Sequence, residues 1–260
     1  MRITIVGCGS IGRTLAEAAD RMEEVKRIYL IDIKKEKAEK LAAQLNKAIV
    51  VESVEDELYH CDLVVEAATQ DAAKDVLMKA SSRGVDIMIT SVGALVDDDF
   101  RAAVFEKAKN CDARIYIPSG ALFGMDGLRA ASNDDLDKVE VVLTAGDQSF
   151  VGMDVGDMKE RKTLFSGTAR EAVQKFPKNI NIAATVSLLG IGFDKTLVTI
   201  ILDPSADTNK FELIVEGKFG KSVCETSNVY APESPYNSYL SGLSTISALE
   251  RIVRNEWAGI

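Results

Sequence analysis

Residues 1–32 constrain the fold of this chain more than any other stretch of it. An apolar run at residues 2–6 predicts a buried strand, and the sequence Gly-Cys-Gly-Ser-Ile-Gly at residues 7–12 forms G-x-G-x-x-G directly after it. Residues 13–22 continue with helical periodicity, and a second apolar run ends on Asp32. A strand, a glycine loop, a helix, a strand and an acid in this order predict a dinucleotide-binding βαβ unit.

Each part of this unit has a mechanical role in binding a dinucleotide. The first glycine permits a tight turn, the second lets the backbone approach the pyrophosphate, and the third lets the helix pack on the strand. The pyrophosphate is expected at the helix N-terminus, where N–H groups without intrahelical partners attract an anion. The alternative is a glycine turn that holds no ligand. The predicted cofactor contacts here are Gly7, Gly9, Ser10, Ile11, Gly12 and Asp32.

The residues after Asp32 bear on the choice between NAD and NADP. Asp32 is expected to accept hydrogen bonds from the ribose hydroxyls of NAD. Lys34 and Lys35 follow it, and positive charge there could tolerate the 2′-phosphate of NADP. A solvated start to an amphipathic helix at residues 34–46 explains the lysines more simply. NAD is therefore the expected cofactor, and NADP is the alternative.

Composition excludes several other classes of protein. The chain has 260 residues with 47% hydrophobic and 27% charged residues, which is typical of a globular protein with one large or two ordinary domains. A net charge of −9 argues against nucleic acid or an anionic membrane as partner. No apolar run reaches the roughly 18 residues of a membrane span, and the chain begins with a strand, so a cytoplasmic protein is expected.

The cysteines and the histidine argue against a metal site. Cys8, Cys61, Cys111 and Cys224 are scattered, without a C-x-x-C pattern, and His60 is the sole histidine. No metal is therefore expected, and buried, reduced thiols are the simpler interpretation of the four cysteines.

Strands and helices alternate as far as residue 117. Predicted helices at 34–46, 71–83 and 97–110 alternate with the strand that ends before Asp32 and with strands at 48–51, 63–67, 86–91 and 113–117. This alternation predicts α/β structure, a Rossmann-type doubly wound parallel sheet, in which ligands collect at the carboxyl ends of the strands. Residues 66–68, 91–93 and 119–121 lie at such ends. Glu66 is either a catalytic or cofactor-positioning group, or a loop carboxylate that faces water.

The pattern changes after Pro118. Predicted strands cluster at 138–145, 163–166, 196–202, 211–216 and 222–228, with helices at 124–132, 168–176 and 179–189 and a loop at 147–157. Clustered strands predict a second, α+β domain with its own sheet. Thr168 and Glu171 have the spacing of a capping box. A last helix, 239–257, is expected to pack back on one domain, so the predicted domains are 1–118 with 239–260, and 119–238.

Several stretches together resemble the L-aspartate dehydrogenase family. The matching segments are residues 7–12, 65–68, 91–95, 119–122, 124–126, 167–172 and 176–187, then Gly190, Gly192, Asp203-Pro204, Gly217, Phe219-Gly220 and Asn228. The resemblance covers nearly the whole chain. It implies a Rossmann domain with a substrate and dimerisation domain, a homodimer, and reversible NAD(P)-dependent oxidation of L-aspartate to iminoaspartate, which hydrolyses to oxaloacetate and ammonia. Carried over to this sequence, it adds Ala67, Ala121 and Asn181 as cofactor contacts.

The catalytic half departs from the family pattern. The family places an acid–base histidine in an Asn-x-His segment, which here reads Asn209-Lys210-Phe211. Its Asn-Pro-Lys-Thr-Ser segment reads Ser-Pro-Tyr-Asn-Ser at residues 234–238, and its Arg-Lys-Pro-Pro segment has no counterpart around 145–147. The catalytic residue is therefore unknown. By position the candidates for proton transfer are Lys178, Lys210, Tyr236 and Asp126.

Three functions remain open at this stage. The first is oxidative deamination of L-aspartate or a related small amino acid, with reductive amination as the reverse reaction. The second is a relative whose pocket has been refitted for a different imino or oxo acid, because Tyr236 favours a less acidic or aromatic substrate. The third is a cofactor-binding sensor without catalysis. Each candidate residue also has a plain structural alternative: Lys210 in solvent, Tyr236 in the core, and Asp126 as a helix cap.

Overall fold

The computed structural model describes residues 1–150, 159–176, 180–232 and 234–256, with residues 234–237 described by their backbone only. These residues form two compact units. Among the described residues, the first unit consists of Met1–Pro118 and Thr245–Glu256, and the second of Ser119–Ser244. The last helix, Tyr239–Arg254, crosses this division and contributes residues to both units.

The first unit contains a six-stranded sheet in which every pair of neighbouring strands is parallel. Its strands are β1 (Arg2–Val6), β2 (Arg27–Ile31), β3 (Ala48–Val50), β4 (Leu63–Glu66), β5 (Asp86–Ile89) and β6 (Ile115–Tyr116). Its helices before Pro118 are α1 (Ser10–Arg21), α2 (Lys35–Ala42), α3 (Val54–Glu57), α4 (Gln70–Ser82) and α5 (Asp98–Asn110). The order β3-β2-β1-β4-β5-β6 reverses between β1 and β4. This is the doubly wound arrangement that the alternating pattern predicts, and it places the switch point beside the glycine loop.

The centre of this unit is built on β1, which pairs with β2 on one side and with β4 on the other. Ile3 and Ile5 are fully buried, and Leu15 and Ala16 of α1 pack in the same core. Leu249 and Ile252 of the last helix belong to that core as well. The expectation that the last helix packs back on a domain is therefore confirmed, although Leu243, in the part assigned to the second unit, is 44% exposed.

The second unit contains a five-stranded mixed sheet, which confirms the separate α+β domain. The sheet order is β11-β10-β7-β9-β8, and its strands are β7 (Leu136–Ala145), β8 (Lys162–Thr168), β9 (Leu197–Leu202), β10 (Asn209–Gly217) and β11 (Gly220–Asn228). A small two-stranded sheet joins β12 (Tyr230–Ala231) to β13 (Ser234–Ser238). The helices are α6 (Met125–Ala131), α7 (Ala169–Lys175), α8 (Asn181–Leu189) and α9 (Tyr239–Arg254). The predicted capping box is present at the start of α7, where Thr168 and Glu171 bond each other's backbone N–H.

Some local expectations need correction or fall outside the described residues. Asp147–Phe150, predicted as loop, forms a short 3₁₀ helix, and residues 151–157 of that predicted loop are not among those described. Cys111 and Cys224 are half-buried rather than buried, whereas Cys8 and Cys61 are buried as expected. Strand β10 begins at Asn209, two positions earlier than predicted. Within the described ranges, no helix is both long and apolar enough to cross a membrane.

Gly12 provides a test of how α1 packs. It lies inside α1, where helix propensity alone would make alanine more stable by about 1 kcal/mol. A Cβ at Gly12, however, would overlap the carbonyl oxygen of Gly7. We therefore expect Gly12→Ala to lower the free energy of unfolding by about 1–3 kcal/mol, measured by urea denaturation. Gly9→Ala is the control, because a Cβ there meets no heavy atom of the described chain within 4 Å; equal stability of the two variants would contradict this packing.

Candidate functional site

The glycine loop joins β1 to α1 in a conformation that only glycine accommodates at two positions. Gly7 has φ of 99°, in the left-handed region, and a Cβ there would overlap the carbonyl oxygen of Ala67. A Cβ at Gly12 would overlap the carbonyl oxygen of Gly7. The first and third glycines of the motif are therefore required by contacts within the protein.

The second glycine of the motif faces open space. Gly9 is exposed, and in the described part of the chain no heavy atom would lie within 4 Å of a Cβ built on it. Gly9 is also the N-cap of α1, and no described side chain caps that helix. The first N–H groups of α1, at Ser10 and Ile11, thus belong to a helix end that attracts an anion. These residues fit the pyrophosphate of a dinucleotide.

Asp32 lies at the carboxyl end of β2 with a fixed carboxylate. Its Oδ2 accepts a hydrogen bond from the backbone N–H of Cys8 at 2.8 Å, and its Oδ1 accepts one from the backbone N–H of Lys34 at 2.8 Å. Each oxygen has a further lone pair that can accept a hydrogen bond from a ribose hydroxyl.

The residues that follow Asp32 are exposed. The side chain of Lys35 lies 3.6 Å from Glu52 in an exposed ion pair. Ile33, fully exposed beside Asp32, is an apolar surface that the sequence analysis did not identify.

Cys8 lies within the loop but is not suited to covalent chemistry. Its side chain is buried, and this burial, together with the nearby charge of Asp32, raises the pKa of its thiol to about 11. A thiol with so high a pKa stays protonated at neutral pH and is a poor nucleophile. Cys8 is therefore a packing residue, in agreement with the simpler interpretation of the cysteines.

Glu66 ends β4 and is completely buried, with no exposed surface. The alternative of a loop carboxylate facing water is therefore wrong, because neighbouring loops enclose the side chain and donate hydrogen bonds to it. Burial raises the pKa of this carboxyl group, and the hydrogen bonds from Ala68, Ser91 and Thr90 act in the opposite direction. Ala67, a predicted cofactor contact, is the next residue along the chain.

The second unit brings two other predicted cofactor residues close to each other. Ala121 is buried, and its carbonyl oxygen accepts a hydrogen bond from Nδ2 of Asn228 at 2.9 Å. The preceding Gly120, with φ of 73°, packs against Ile182 in the first turn of α8. Asn181 is the first residue of that helix and is half-buried. The loop at 119–121 and the start of α8 are thus neighbours within this unit.

Phe211, where the family resemblance implies a histidine, is a core residue. It is 6% exposed, and it shares the buried side of β10 with Asn209, Leu213 and Val215. Its strand partners are Leu143 in β7 and Thr226 in β11. A phenyl ring cannot transfer a proton, so Phe211 contributes packing and not acid–base chemistry.

The four candidates for proton transfer have different outcomes. Lys210 precedes Phe211 on β10, and its ammonium lies 2.8 Å from Glu225 and 3.0 Å from Glu212. Its hydrogen bonds to these carboxylates raise the pKa of Lys210, which favours the charged form and weighs against a role as base. Asp126 is exposed in the first turn of α6. Lys178 and the side chain of Tyr236 lie outside the described residues.

A buried polar cluster next to Phe211 was missed by the sequence analysis. In this Ser149–Asn209 cluster, Ser149 Oγ donates to Asn209 Oδ1 at 2.8 Å and lies 3.4 Å from the hydroxyl of Tyr230. Asn209 Nδ2 donates to Ser238 Oγ at 3.3 Å. Asn209 is two residues from Phe211 on the same face, a spacing of about 7 Å along a strand. The signal available in the sequence was a polar residue at an inward position of an alternating strand.

Family models match both halves of the chain. One described as the NAD binding domain of homoserine dehydrogenase matches residues 7–118, and one described as the C-terminal part of aspartate dehydrogenase matches residues 126–252. The two matches correspond in sequence to the unit with the glycine loop and to the unit with the mixed sheet, and the second match includes α9 as far as Ile252.

Individual relatives and a solved structure agree with these models. The L-aspartate dehydrogenase of Methanosarcina acetivorans is 39% identical, with 97% of this chain and 97% of the relative covered, and that of Methanococcoides burtonii is 39% identical with the same coverage. The crystal structure of aspartate dehydrogenase from Thermotoga maritima superposes with a TM-score of 0.77 at 27% identity, covering 100% of this chain and 98% of that chain. The chain therefore belongs to the L-aspartate dehydrogenase family.

Proposed function

We propose that the protein is an NAD(P)-dependent amino-acid dehydrogenase that oxidises L-aspartate. The observation that carries this proposal is the intact dinucleotide site, with its open Gly9 and fixed Asp32, in a chain of this family. In this reaction aspartate loses a hydride from its Cα–H bond and a proton from an N–H bond, which leaves iminoaspartate. Water then converts iminoaspartate to oxaloacetate and ammonium. The reverse reaction is reductive amination of oxaloacetate.

NAD(P) supplies the hydride acceptor when it is bound. The protein's part is to hold it: the start of α1 binds the pyrophosphate, and Asp32 accepts from the ribose hydroxyls. We propose NAD as the preferred cofactor, because the carboxylate of Asp32 is fixed by two backbone N–H groups and would repel a 2′-phosphate. Gly7, Gly12 and Ala67 shape this site, and Ala121 and Asn181 in the second unit are proposed contacts from the family resemblance.

The acid–base group is the open part of this proposal. Deprotonating the substrate amine or activating water needs a group with a pKa near the working pH. Of the four candidates, Lys210 is the least suited, because two carboxylates stabilise its charged form. Lys178, Tyr236 and Asp126 remain candidates. Phe211 also supports a second candidate function, a dehydrogenase whose substrate pocket is refitted for a different imino or oxo acid. The third candidate function is a cofactor-binding sensor without catalysis.

The first experiment follows NADH oxidation at 340 nm with oxaloacetate and ammonium, and with oxaloacetate alone. Ammonium-dependent turnover is expected, because reductive amination consumes both substrates. Gly9→Ala should fold normally but lose turnover, since its methyl group would occupy the space proposed for the pyrophosphate. Gly127→Ala is the matched control. A Cβ at Gly127 also meets no described atom within 4 Å, but Gly127 belongs to α6 and not to the glycine loop. Two outcomes would exclude aspartate as substrate. One is NADH oxidation that does not depend on ammonium, and the other is the absence of turnover in a protein that binds NADH.

Phe211→His separates the first function from the other two. If only the acid–base group is missing, histidine should raise kcat/KM for aspartate by about 100-fold, the lower range for general acid–base catalysis. Phe211→Leu is the control, because it keeps an apolar side chain on the same buried face. Both variants should bind NADH like the wild type. Unchanged kcat/KM in a folded Phe211→His variant would favour the refitted pocket or the sensor.

We also propose that the chain forms a homodimer in the cytoplasm. The family resemblance supports the dimer, and four free cysteines fit a reducing compartment. Native mass spectrometry of the cytosolic fraction of expressing cells should give twice the 28.2 kDa of one chain. A monomer mass would contradict the proposed dimer. Absence of the protein from the cytosolic fraction would contradict the proposed location.

A further inference from the structure

The carboxylate of Glu66 connects the ends of two neighbouring strands. Oε1 accepts hydrogen bonds from the backbone N–H of Ala68 at 2.7 Å and from Oγ of Ser91 at 2.8 Å. Oε2 accepts from the backbone N–H of Ser91 at 3.0 Å and from that of Thr90 at 3.3 Å. Ala68 follows β4, and Thr90 and Ser91 follow β5. One buried side chain thus holds both loops at the carboxyl edge of the sheet.

The segment that Glu66 holds is also the support of the glycine loop. The N–H of Ala67 donates to the carbonyl of Val6, the last residue of β1, at 2.8 Å. The carbonyl of Ala67 and the Cα of Ala68 lie against Gly7, in the space where a side chain would be. The Cβ of Ala67 would lie 3.6 Å from a Cβ on Gly12. Ala67 is therefore packed against both the first and the third glycine of the motif.

We propose that Glu66 is a positioning residue for the dinucleotide. Its carboxylate fixes the 67–68 segment and thereby the glycine loop and the start of α1. The proposal rests on the proposed cofactor binding. Glu66 does not need to contact the cofactor or the substrate for this role. Its effect passes through Ala67 to Gly7 and Gly12, whose backbone sets where the N–H groups of α1 point.

The four partners require a carboxylate rather than another polar group. Three are backbone N–H groups, which can only donate, and they approach both oxygens. In Glu66→Gln, the new NH₂ group would face the N–H of Ala68 or the N–H of Ser91, depending on its orientation. Either orientation leaves the buried NH₂ group facing an N–H donor, which costs free energy because neither donor has an acceptor there.

The test compares Glu66→Gln with Asp20→Asn, which changes a carboxylate near the C-terminal end of α1. Asp20 accepts from the backbone N–H groups of Asn46 and Lys47, at 3.0 Å and 2.8 Å, so Asp20→Asn removes a similar anchor far along the helix from the glycine loop. NADH binding is measured by fluorescence titration, and backbone hydrogen exchange by mass spectrometry. In Glu66→Gln we expect the Kd for NADH to rise about tenfold and exchange to accelerate in peptides covering residues 7–12. In Asp20→Asn neither quantity should change.

The outcomes separate this proposal from a purely structural role and from the proposed function. A Glu66→Gln variant with a lowered Tm but an unchanged Kd and unchanged exchange at 7–12 would overturn the positioning role. If the wild type binds no NADH, the proposed function fails, and exchange at 7–12 still decides whether Glu66 fixes the loop. If Glu66→Gln does not fold, Ser91→Ala removes one donor and keeps the carboxylate; its Kd should rise about threefold, and an unchanged Kd would overturn the proposal.

Discussion

The close approach of α1 to the end of β1 is the constraint on which the cofactor-binding unit depends. Gly7 and Gly12 permit it, because a side chain at either position would overlap backbone of the same unit. The helix start is thereby held at the switch point of the sheet, where its unpaired N–H groups can act together on an anion. The rest of the unit supports this arrangement, with Asp32 bonded to the loop from one side and Ala67 packed against it from the other.

The local parts of the fold could be predicted from the sequence, and the long-range polar contacts within each unit could not. The glycine motif, the strand before it and the helix after it are neighbours in sequence, so their spacing is sufficient to identify them. Glu66 and Ser91 are 25 positions apart, and Ser149 and Asn209 are 60 positions apart. Polar residues at such separations meet only after the sheet has formed, because the strand register decides which side chains face each other.

By the resemblance seen in the sequence, the two halves of the chain follow the family pattern to different extents. The cofactor half has the three glycines and the acid. Contacts with backbone fix Gly7, Gly12 and Asp32, whereas Gly9 faces open space in the described chain. In the substrate half, Phe211 stands where the resemblance implies a histidine, and its side chain belongs to the buried face of the sheet. The neighbouring Ser149–Asn209 cluster is polar but uncharged. The buried face around Phe211 is therefore specified by packing and neutral hydrogen bonds.

The path of α9 has a consequence for the order in which the protein is made. The core around β1 includes Leu249 and Ile252, which follow the entire second unit in the chain. On the ribosome, the first 118 residues emerge long before these two side chains and must wait with part of their apolar surface in water. The second unit has no such delay, because its five-stranded sheet is complete at β11 and its two-stranded sheet at β13. The half of the protein synthesised first is thus the half that completes its core last.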